Sequence, residues 1–246
     1  MAILHQERID AGVSFDYDAL PPHRTSLADV RRDATELRFR RQRSSHNGIG
    51  RFRDLRRLWL YSVNQRFLDE LAEITTVEML FIEGLTATDL TPLKRLGKLR
   101  RLIIHGGTKI QSLDWVAALP QLEAFAIENF KRVSDLDPII SLTSLTALGI
   151  EGSIWTSMRV SSLAPLAQLR GLRFLFLTNL RAADRSLRPL HSLANLQVLQ
   201  IGAVFPDEEF LLLRRALPEL HCDWFGIIDR HGSTREGIRA AVHGPR

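Results

Sequence analysis

The chain has 246 residues, of which 45% are hydrophobic and 25% are charged, and its 33 lysine and arginine residues exceed its 28 aspartate and glutamate residues. That hydrophobic content is sufficient for a buried core. No apolar run reaches the roughly 18 residues of a membrane span, and the first dozen residues lack the apolar run of a signal peptide. The single cysteine, Cys222, excludes an internal disulfide framework and fits a reducing compartment. These totals predict a cytoplasmic protein that does not cross a membrane.

Residues 1–33 do not share the repeat that begins at Ala34. Their apolar positions predict a short strand, ended by Pro21 and Pro22, along Ile9, Val13, Phe15 and Tyr17. The first unit of a stacked repeat array needs a covering segment with a polar outer face. We therefore predict an N-terminal capping segment over residues 1–33.

From Ala34 onward the chain repeats an L-x-x-L-x-L triplet, for example Leu99, Leu102 and Ile104. The triplets begin 21 to 24 residues apart, with one interval of 27 residues, at Ala34, Leu55, Val77, Leu99, Leu122, Leu145, Leu172, Leu196 and, as a closing strand, Leu220. A second apolar run at spacing three follows each triplet from Leu55 to Leu172, and four of these runs contain a proline that suits a first helical turn. Such a period is typical of a repeat architecture in which each unit has one strand and one short helical or 3₁₀ turn.

This pattern resembles the leucine-rich repeat family, in its short class of about 22 residues per unit, and is similar to bacterial cytoplasmic members. The resemblance covers roughly residues 34–225. It implies an α/β fold: a curved, right-handed solenoid of about eight units, with a parallel β-sheet on the concave face and short helical or 3₁₀ turns on the convex face. The family usually has Asn or Cys at the ninth position, where this chain has Gln42, Val63, Leu85, Gly107, Phe130, Ser153, Leu180 and Val204. The turns must therefore be closed by packing or by the backbone.

The C-terminal part predicts an end cap and a tail. Residues 206–220 read as a closing helix, because Asp207, Glu208 and Glu209 suit a helix N-terminus. The polar stretch from Asp229 predicts a frayed tail. We assign residues 34–226 to the solenoid with its C-terminal cap, and residues 227–246 to the tail. The 27-residue interval holds an insertion around residues 154–158.

The side chains between the core leucines predict the binding surface. Side chains alternate along a strand, so positions 3, 5 and 7 of each triplet must face outward on the concave sheet, and equal positions form columns. Exposed apolar patches beyond a few hundred Å² mark interaction sites. The expected anchors for a partner protein are Trp59, Tyr61, Phe81, Ile103, Phe174 and Phe176, around a trough of small residues, with a polar row of Glu83, His105, Glu128 and Glu151.

Several alternatives remain for this surface. The N-terminal segment could cover it, or two copies of the chain could associate through it. The glutamate row could receive a basic side chain of a partner, which would relieve the repulsion between neighbouring carboxylates, or could be a solvated strand edge. A metal site is less favoured, because a flat sheet converges ligands poorly.

No phosphate-binding glycine loop, hydrolase motif or H-E-x-x-H pair occurs in the sequence. His221, Cys222 and Asp223 are adjacent along the chain, so they point to opposite faces of a strand and cannot converge. We predict no enzymatic activity and no cofactor, and a function in binding a partner protein through the concave face. The alternative is a nucleic-acid or ribosome binder that uses the ten arginines between Arg31 and Arg57, although a solvated arginine-rich surface would explain them too. High arginine and alanine usage is typical of a GC-rich bacterium.

Overall fold

The computed structural model describes residues 2–243, and its centre is a parallel sheet of nine strands in the order β1-β2-β3-β4-β5-β6-β7-β9-β11. The strands are β1 His23–Arg24, β2 Glu36–Arg40, β3 Arg57–Tyr61, β4 Met79–Glu83, β5 Arg101–His105, β6 Ala124–Glu128, β7 Ala147–Glu151, β8 Met158–Val160, β9 Phe174–Leu177, β10 Leu180–Ala182 and β11 Val198–Ile201. The helices are α1 Ala2–Asp10, α2 Gln65–Leu71, α3 Asp207–Ala216, α4 Asp223–His231 and α5 Thr234–His243. Eight of the nine strands lie on the eight predicted triplets, one strand in each unit. The predicted leucine-rich-repeat solenoid is therefore confirmed.

The repeated leucines build the core because consecutive strands pair in phase. Leu80 pairs with Leu102, and Leu102 pairs with Phe125, so the same triplet position stacks along the solenoid. All three side chains are fully buried. Each unit thus gains its apolar burial from the units before and after it, as expected for a repeat protein.

Short 3₁₀ turns return the chain in most units, at Thr91–Arg95, Asp114–Ala118, Asp137–Ser141, Ala164–Gln168 and Arg188–Ser192. Four of them carry proline at the first or second position, where the missing N–H is tolerated. The second unit uses helix α2 instead, whose Asn64 side chain accepts a hydrogen bond from the N–H of Phe67. That bond caps one of the free N–H groups at the helix start.

The missing asparagine of the family is replaced by packing and by left-handed backbone. Four ninth-position side chains are buried: Val63, Leu85, Phe130 and Leu180. The residue before the ninth position has a positive φ of 52 to 84° in five units, at Ser62, Gly84, Gly106, Asn129 and Asn179. Glycine and asparagine adopt this conformation most readily. The chain therefore turns out of each strand without a side-chain hydrogen-bond ladder.

The longer unit contains the predicted insertion. Its strand β8 pairs in parallel with β10 and forms a second, two-stranded sheet. Ile154 and Trp155 lie at the tip of the preceding loop and are 88% and 92% exposed. This loop is the place where the longest interval is accommodated without breaking the main sheet.

Both termini differ from the predictions. The strand predicted along Ile9 to Tyr17 is wrong, because residues 2–10 form helix α1 and Gly12, with a φ of 76°, turns the chain after it. Part of the predicted cap is present: β1 extends the sheet and Leu27 is buried in the main core. Helix α3 confirms the predicted closing helix.

The frayed tail predicted from Asp229 is wrong, because α4 and α5 continue to residue 243 and α4 crosses the predicted boundary between residues 226 and 227. Arg214 of α3 binds the Asp229 carboxylate at 2.8 Å, which ties α4 to the closing helix. Met1 and residues 244–246, at the ends of the predicted segments, lie outside the described residues. Within residues 2–243 every helix is too short or too polar to cross a membrane.

Candidate functional site

The predicted columns of concave side chains form as expected. Strand register places Trp59 beside Phe81, and Phe81 beside Ile103, across three neighbouring strands. The polar row is also continuous, since consecutive strand pairs join Tyr61, Glu83, His105, Glu128 and Glu151. Sequence spacing alone was sufficient to align these residues.

The expectation that this apolar surface is free is wrong. Trp59 is 6% exposed, Phe81 is 1% exposed and Phe176 is fully buried. Tyr61 and Ile103 are buried as well, and Phe174 is partly buried. The cause is the alternative that the sequence left open: the chain's own residues 5–20, here called the covering segment, lie across the concave face. Whether these residues bind a partner stays a prediction.

The covering segment and the concave side chains form a second apolar cluster, separate from the leucine core. Ala11 and Val13 of the segment are buried in it, and Phe15 and Leu20 pack at its edge. The small residues of the predicted trough, Ala124, Ala126 and Ala147, receive the segment where it turns at Gly12. The trough therefore fits a narrow turn of polypeptide.

Phe15 is the aromatic contact of the covering segment. Its ring meets Trp59 and Phe81 edge to face, with ring centroids 5.7 and 5.3 Å apart and interplanar angles of 74° and 76°. Such pairs are stabilised beyond the area they bury. The two predicted aromatic anchors thus already hold an aromatic side chain.

Arg8 is the polar contact. Its guanidinium donates to both carboxylate oxygens of Glu151, one of them at 3.1 Å, and to Oε1 of Gln200 at 3.2 Å. The guanidinium carbon also lies 4.6 Å from the centre of the Phe176 ring. Bidentate pairing together with stacking is the geometry for which arginine is suited and lysine is not. The basic side chain expected beside the glutamate row is therefore supplied by the same chain.

Electrostatics of the row follow from burial and from this arginine. Burial and the neighbouring Glu151 raise the pKa of Glu128, whereas Arg8 lowers it. The pKa of His105 is lowered overall: burial is the main cause and Arg8 adds to it, although Glu151 acts in the opposite direction. His105 Nδ1 lies 3.7 Å from a carboxylate oxygen of Glu128. Loss of Arg8 would leave the carboxylates of this row facing one another without a cation.

Within the described part of the chain, no three His, Cys, Asp or Glu side chains are grouped closely enough to hold a metal ion. Glu83 is exposed at the open end of the row, while Glu151 is 9% exposed. A groove of about 510 Å³ remains open beside the covering segment, lined by Phe15, Trp59 and Arg101 among others. The concave face is therefore partly accessible at the edge where the strands begin.

The arginine cluster is largely engaged with the protein itself. Arg31, Arg56 and Arg57 pair with Asp33, Glu78 and Glu36. Arg41, Arg51 and Arg53 donate to backbone carbonyl oxygens. Six of the ten arginines thus already have partners, which weakens the expectation of a nucleic-acid surface.

Cys222 does not form a nucleophilic site. Burial raises the pKa of its thiol to about 12, so the thiolate is scarce at neutral pH. His221 lies 3.6 Å from Asp223, and both side chains are more than half exposed while the thiol is buried.

The residues that sequence reasoning missed are Arg8, Ala11, Val13 and Phe15. Val13 and Phe15 are apolar residues at alternate positions, and the sequence pattern places them on a strand. A helix followed by a turn at Gly12 brings the same residues onto the concave face. A signal for this arrangement is present in the sequence. The N-terminal segment has apolar residues and an arginine that belong to no repeat, and the concave face has apolar side chains without a cover and glutamates without a cation.

No protein-family model and no curated protein matches the sequence. Solved structures of leucine-rich repeat proteins share the fold. An internalin (inlF) from Listeria monocytogenes is 22% identical with a TM-score of 0.50, covering 70% of this chain and 54% of that one. The functional domain of InlJ, also from Listeria monocytogenes, is 16% identical with a TM-score of 0.50, covering 69% and 35%.

A plant peptide hormone receptor, RGFR1 in complex with RGF2, is 13% identical with a TM-score of 0.51, covering 85% of this chain and 36% of that one. The chain thus spans about half or less of the length of these proteins. At these identities the likeness establishes the class of fold alone, a leucine-rich repeat solenoid.

Proposed function

We propose that this protein is a non-catalytic interaction module that binds a partner protein through its concave face, at the surface occupied by the covering segment. The observation that supports this proposal is the manner of that occupation. A segment outside the repeats lies in a separate apolar cluster as a bound peptide would: Ala11 and Val13 are buried in the cluster, Phe15 packs on two aromatic rings and Arg8 pairs with a carboxylate. A surface that accommodates a peptide in cis has the shape and chemistry to accommodate one in trans.

The partner replaces the covering segment rather than binding over it. Phe15 and Leu20 are only partly buried, and the segment's one ion pair to the sheet is Arg8 with Glu151, among the described residues. Opening exposes the apolar cluster in which Ala11 and Val13 are buried, so a ligand that covers the same concave side chains can shift the population toward the open state. One of the solved neighbours, the plant receptor, was determined with its peptide hormone bound, which fits this mode of recognition.

Two variants test the proposal. The open variant, Arg8→Ala/Phe15→Ala, removes both anchors of the segment. The locked variant, Gly12→Cys/Ala124→Cys, joins the segment to the sheet, because a Cβ at position 12 would lie 3.4 Å from the Cβ of Ala124. That distance is just below the roughly 3.5–4.5 Å found in disulfides, so a small outward shift of the segment accommodates the bond.

Affinity capture from lysate, with thiols blocked by alkylation, should give a partner that the open variant retains most and the oxidised locked variant least. Reduction of the locked variant should restore capture. Trp155→Ala is the matched control, because it removes an exposed aromatic side chain far from the segment in the sequence and should leave capture unchanged. Equal capture by oxidised and reduced locked protein, or no capture by the open variant, would show that the concave face is not the binding surface.

The arginine cluster does not favour the nucleic-acid alternative, given its internal partners. A cytoplasmic location and a bacterial origin remain predictions from composition. A protein partner that binds the concave face is the function that the contacts support best.

A further inference from the structure

The covering segment displays two anchors at a fixed separation. Arg8 lies in the last turn of α1, and Phe15 follows seven positions later. The N–H groups of Val13 and Ser14 both donate to the carbonyl oxygen of Arg8, at 3.0 and 3.1 Å. This turn ends the helix and points the following residues toward the aromatic strands, so one short motif spans the concave face from β7 to β3.

Each anchor meets a receiver built by several strands. Glu151 of β7, Gln200 of β11 and the Phe176 ring of β9 surround the Arg8 guanidinium. Trp59 of β3 and Phe81 of β4 receive Phe15. Between the receivers lie the small side chains that admit the turn. The concave face is thus shaped for an arginine and an aromatic ring carried on one helix–turn.

We infer that the covering segment is an internal mimic of the partner, and that the partner presents an arginine and an aromatic side chain about seven residues apart on a short helix followed by a turn. This inference rests on the proposed function and specifies its ligand. The partner's arginine takes the place of Arg8 on Glu151, and its aromatic ring takes the place of Phe15 between Trp59 and Phe81.

Charge favours the same class of ligand. The polar row beside the arginine receiver carries three carboxylates, from Glu83, Glu128 and Glu151, so the vacated site attracts a cation. Arginine is preferred to lysine there, because the guanidinium makes two parallel hydrogen bonds and stacks on Phe176. An acidic or purely aliphatic segment would cover Glu151, whose side chain is buried beneath the covering segment, without supplying a counter-ion.

Binding of the chain's own segment in trans provides the test. A fluorescein-labelled synthetic peptide of residues 2–20 is titrated into the full-length open variant, and fluorescence anisotropy gives its affinity. The peptide should bind the open variant most tightly. It should bind the reduced form of the locked variant more weakly than the open variant, and it should not bind the oxidised form. Substituting Arg8→Ala or Phe15→Ala in the peptide should weaken binding by roughly tenfold or more each. Arg8→Lys should lose part of the affinity, and Asp18→Ala, an exposed position, should lose none.

A displayed random peptide library, selected on the open variant, separates failure of this inference from failure of the proposed function. Lock-sensitive binders enriched in an arginine and an aromatic residue at that spacing would support the inference. Lock-sensitive binders without the pair would overturn it and leave the proposed function intact. If neither the library nor the peptide of residues 2–20 yields lock-sensitive binding, the proposed function fails too. Circular dichroism checks that the open variant folds. If the double variant is unfolded, the single variant Phe15→Ala takes its place in both experiments.

Discussion

The disulfide between positions 12 and 124 should stabilise the protein strongly once oxidised. The bond joins the covering segment to β6. The repeat pattern does not predict this contact, because residue 12 lies outside the repeats. The bond closes a loop on the order of 100 residues, for which loss of entropy in the unfolded chain gives about 4.7 kcal/mol. Strain in the folded state usually lowers the measured value, so roughly 3 kcal/mol is expected between the oxidised and reduced forms.

The reduced locked variant should be less stable than the unaltered chain, by about 1–2 kcal/mol, because Gly12 has a φ of 76° that a residue with a side chain adopts only with strain. A Cβ there also comes within 3.2 Å of the Arg101 side chain, which can move. Comparing oxidised with reduced protein removes both effects, since each form carries the same substitutions.

Thermal unfolding followed by circular dichroism measures the difference, which corresponds to roughly 10 °C in Tm for a chain of this size. The native thiol interferes little, because Cys222 is buried and its pKa is raised to about 12. Gly12→Cys/Gly97→Cys is the control: a Cβ at Gly97 meets no atom within 4 Å, so no internal disulfide should form. Failure of the Gly12→Cys/Ala124→Cys protein to form an internal disulfide under oxidation would mean that the segment does not lie on the concave face.

Three further outcomes follow from single positions. Gly107→Ala should lose about 1–3 kcal/mol in urea unfolding, because a Cβ there would lie 2.2 Å from the Phe130 ring; Gly97→Ala should be neutral, and Phe130→Leu should rescue the loss. His46 is 2% exposed and neither ring nitrogen finds a partner among the described residues, so burial lowers its pKa below the usual 6.5. The imidazole of His46 therefore binds a proton less readily in the folded protein than in the unfolded chain, so the free energy of unfolding falls as pH drops below 6.5. His46→Leu should remove this part of the pH dependence of the urea midpoint between pH 7.5 and 5.5. The Cys222 thiol should react with a maleimide at pH 8 only as fast as the protein unfolds, and rapid labelling of folded protein would contradict its burial.

The repeats were predictable because each rule acts many times. A single leucine at a core position says little, but Leu80, Leu102 and Phe125 at equal spacing leave one arrangement in which all are buried together. The alignment of concave residues follows from the same spacing, since side chains alternate along each strand. Register and facing could thus be inferred before any coordinates.

The cover could not be inferred in the same way, because it occurs once. Residues 5–20 have no period to average over, and apolar residues at 9, 13, 15 and 17 fit a strand as well as a helix end with a turn. Burial of the concave columns was the physical requirement, but that requirement does not specify which polypeptide provides the cover. The C-terminal helices are hidden from the sequence for a related reason: the polar and glycine residues after Asp229 favour a tail, whereas α4 packs against α3 and α5 packs against α4.

If a partner replaces the covering segment, as we propose, that segment also sets how tightly the partner can appear to bind. A partner binds only the open fraction of molecules, so its apparent Kd rises in inverse proportion to that fraction, tenfold for each 1.4 kcal/mol of opening free energy. Phe15 is partly buried, and half of the roughly 1.5–3 kcal/mol for full burial of a phenylalanine is about 0.75–1.5 kcal/mol, or roughly three- to tenfold in the open fraction. Phe15→Ala should therefore tighten capture of a partner by roughly three- to tenfold while leaving the partner's own contacts unchanged. An affinity that falls instead would mean that Phe15 belongs to the binding surface itself and that the partner adds to the covering segment rather than replacing it.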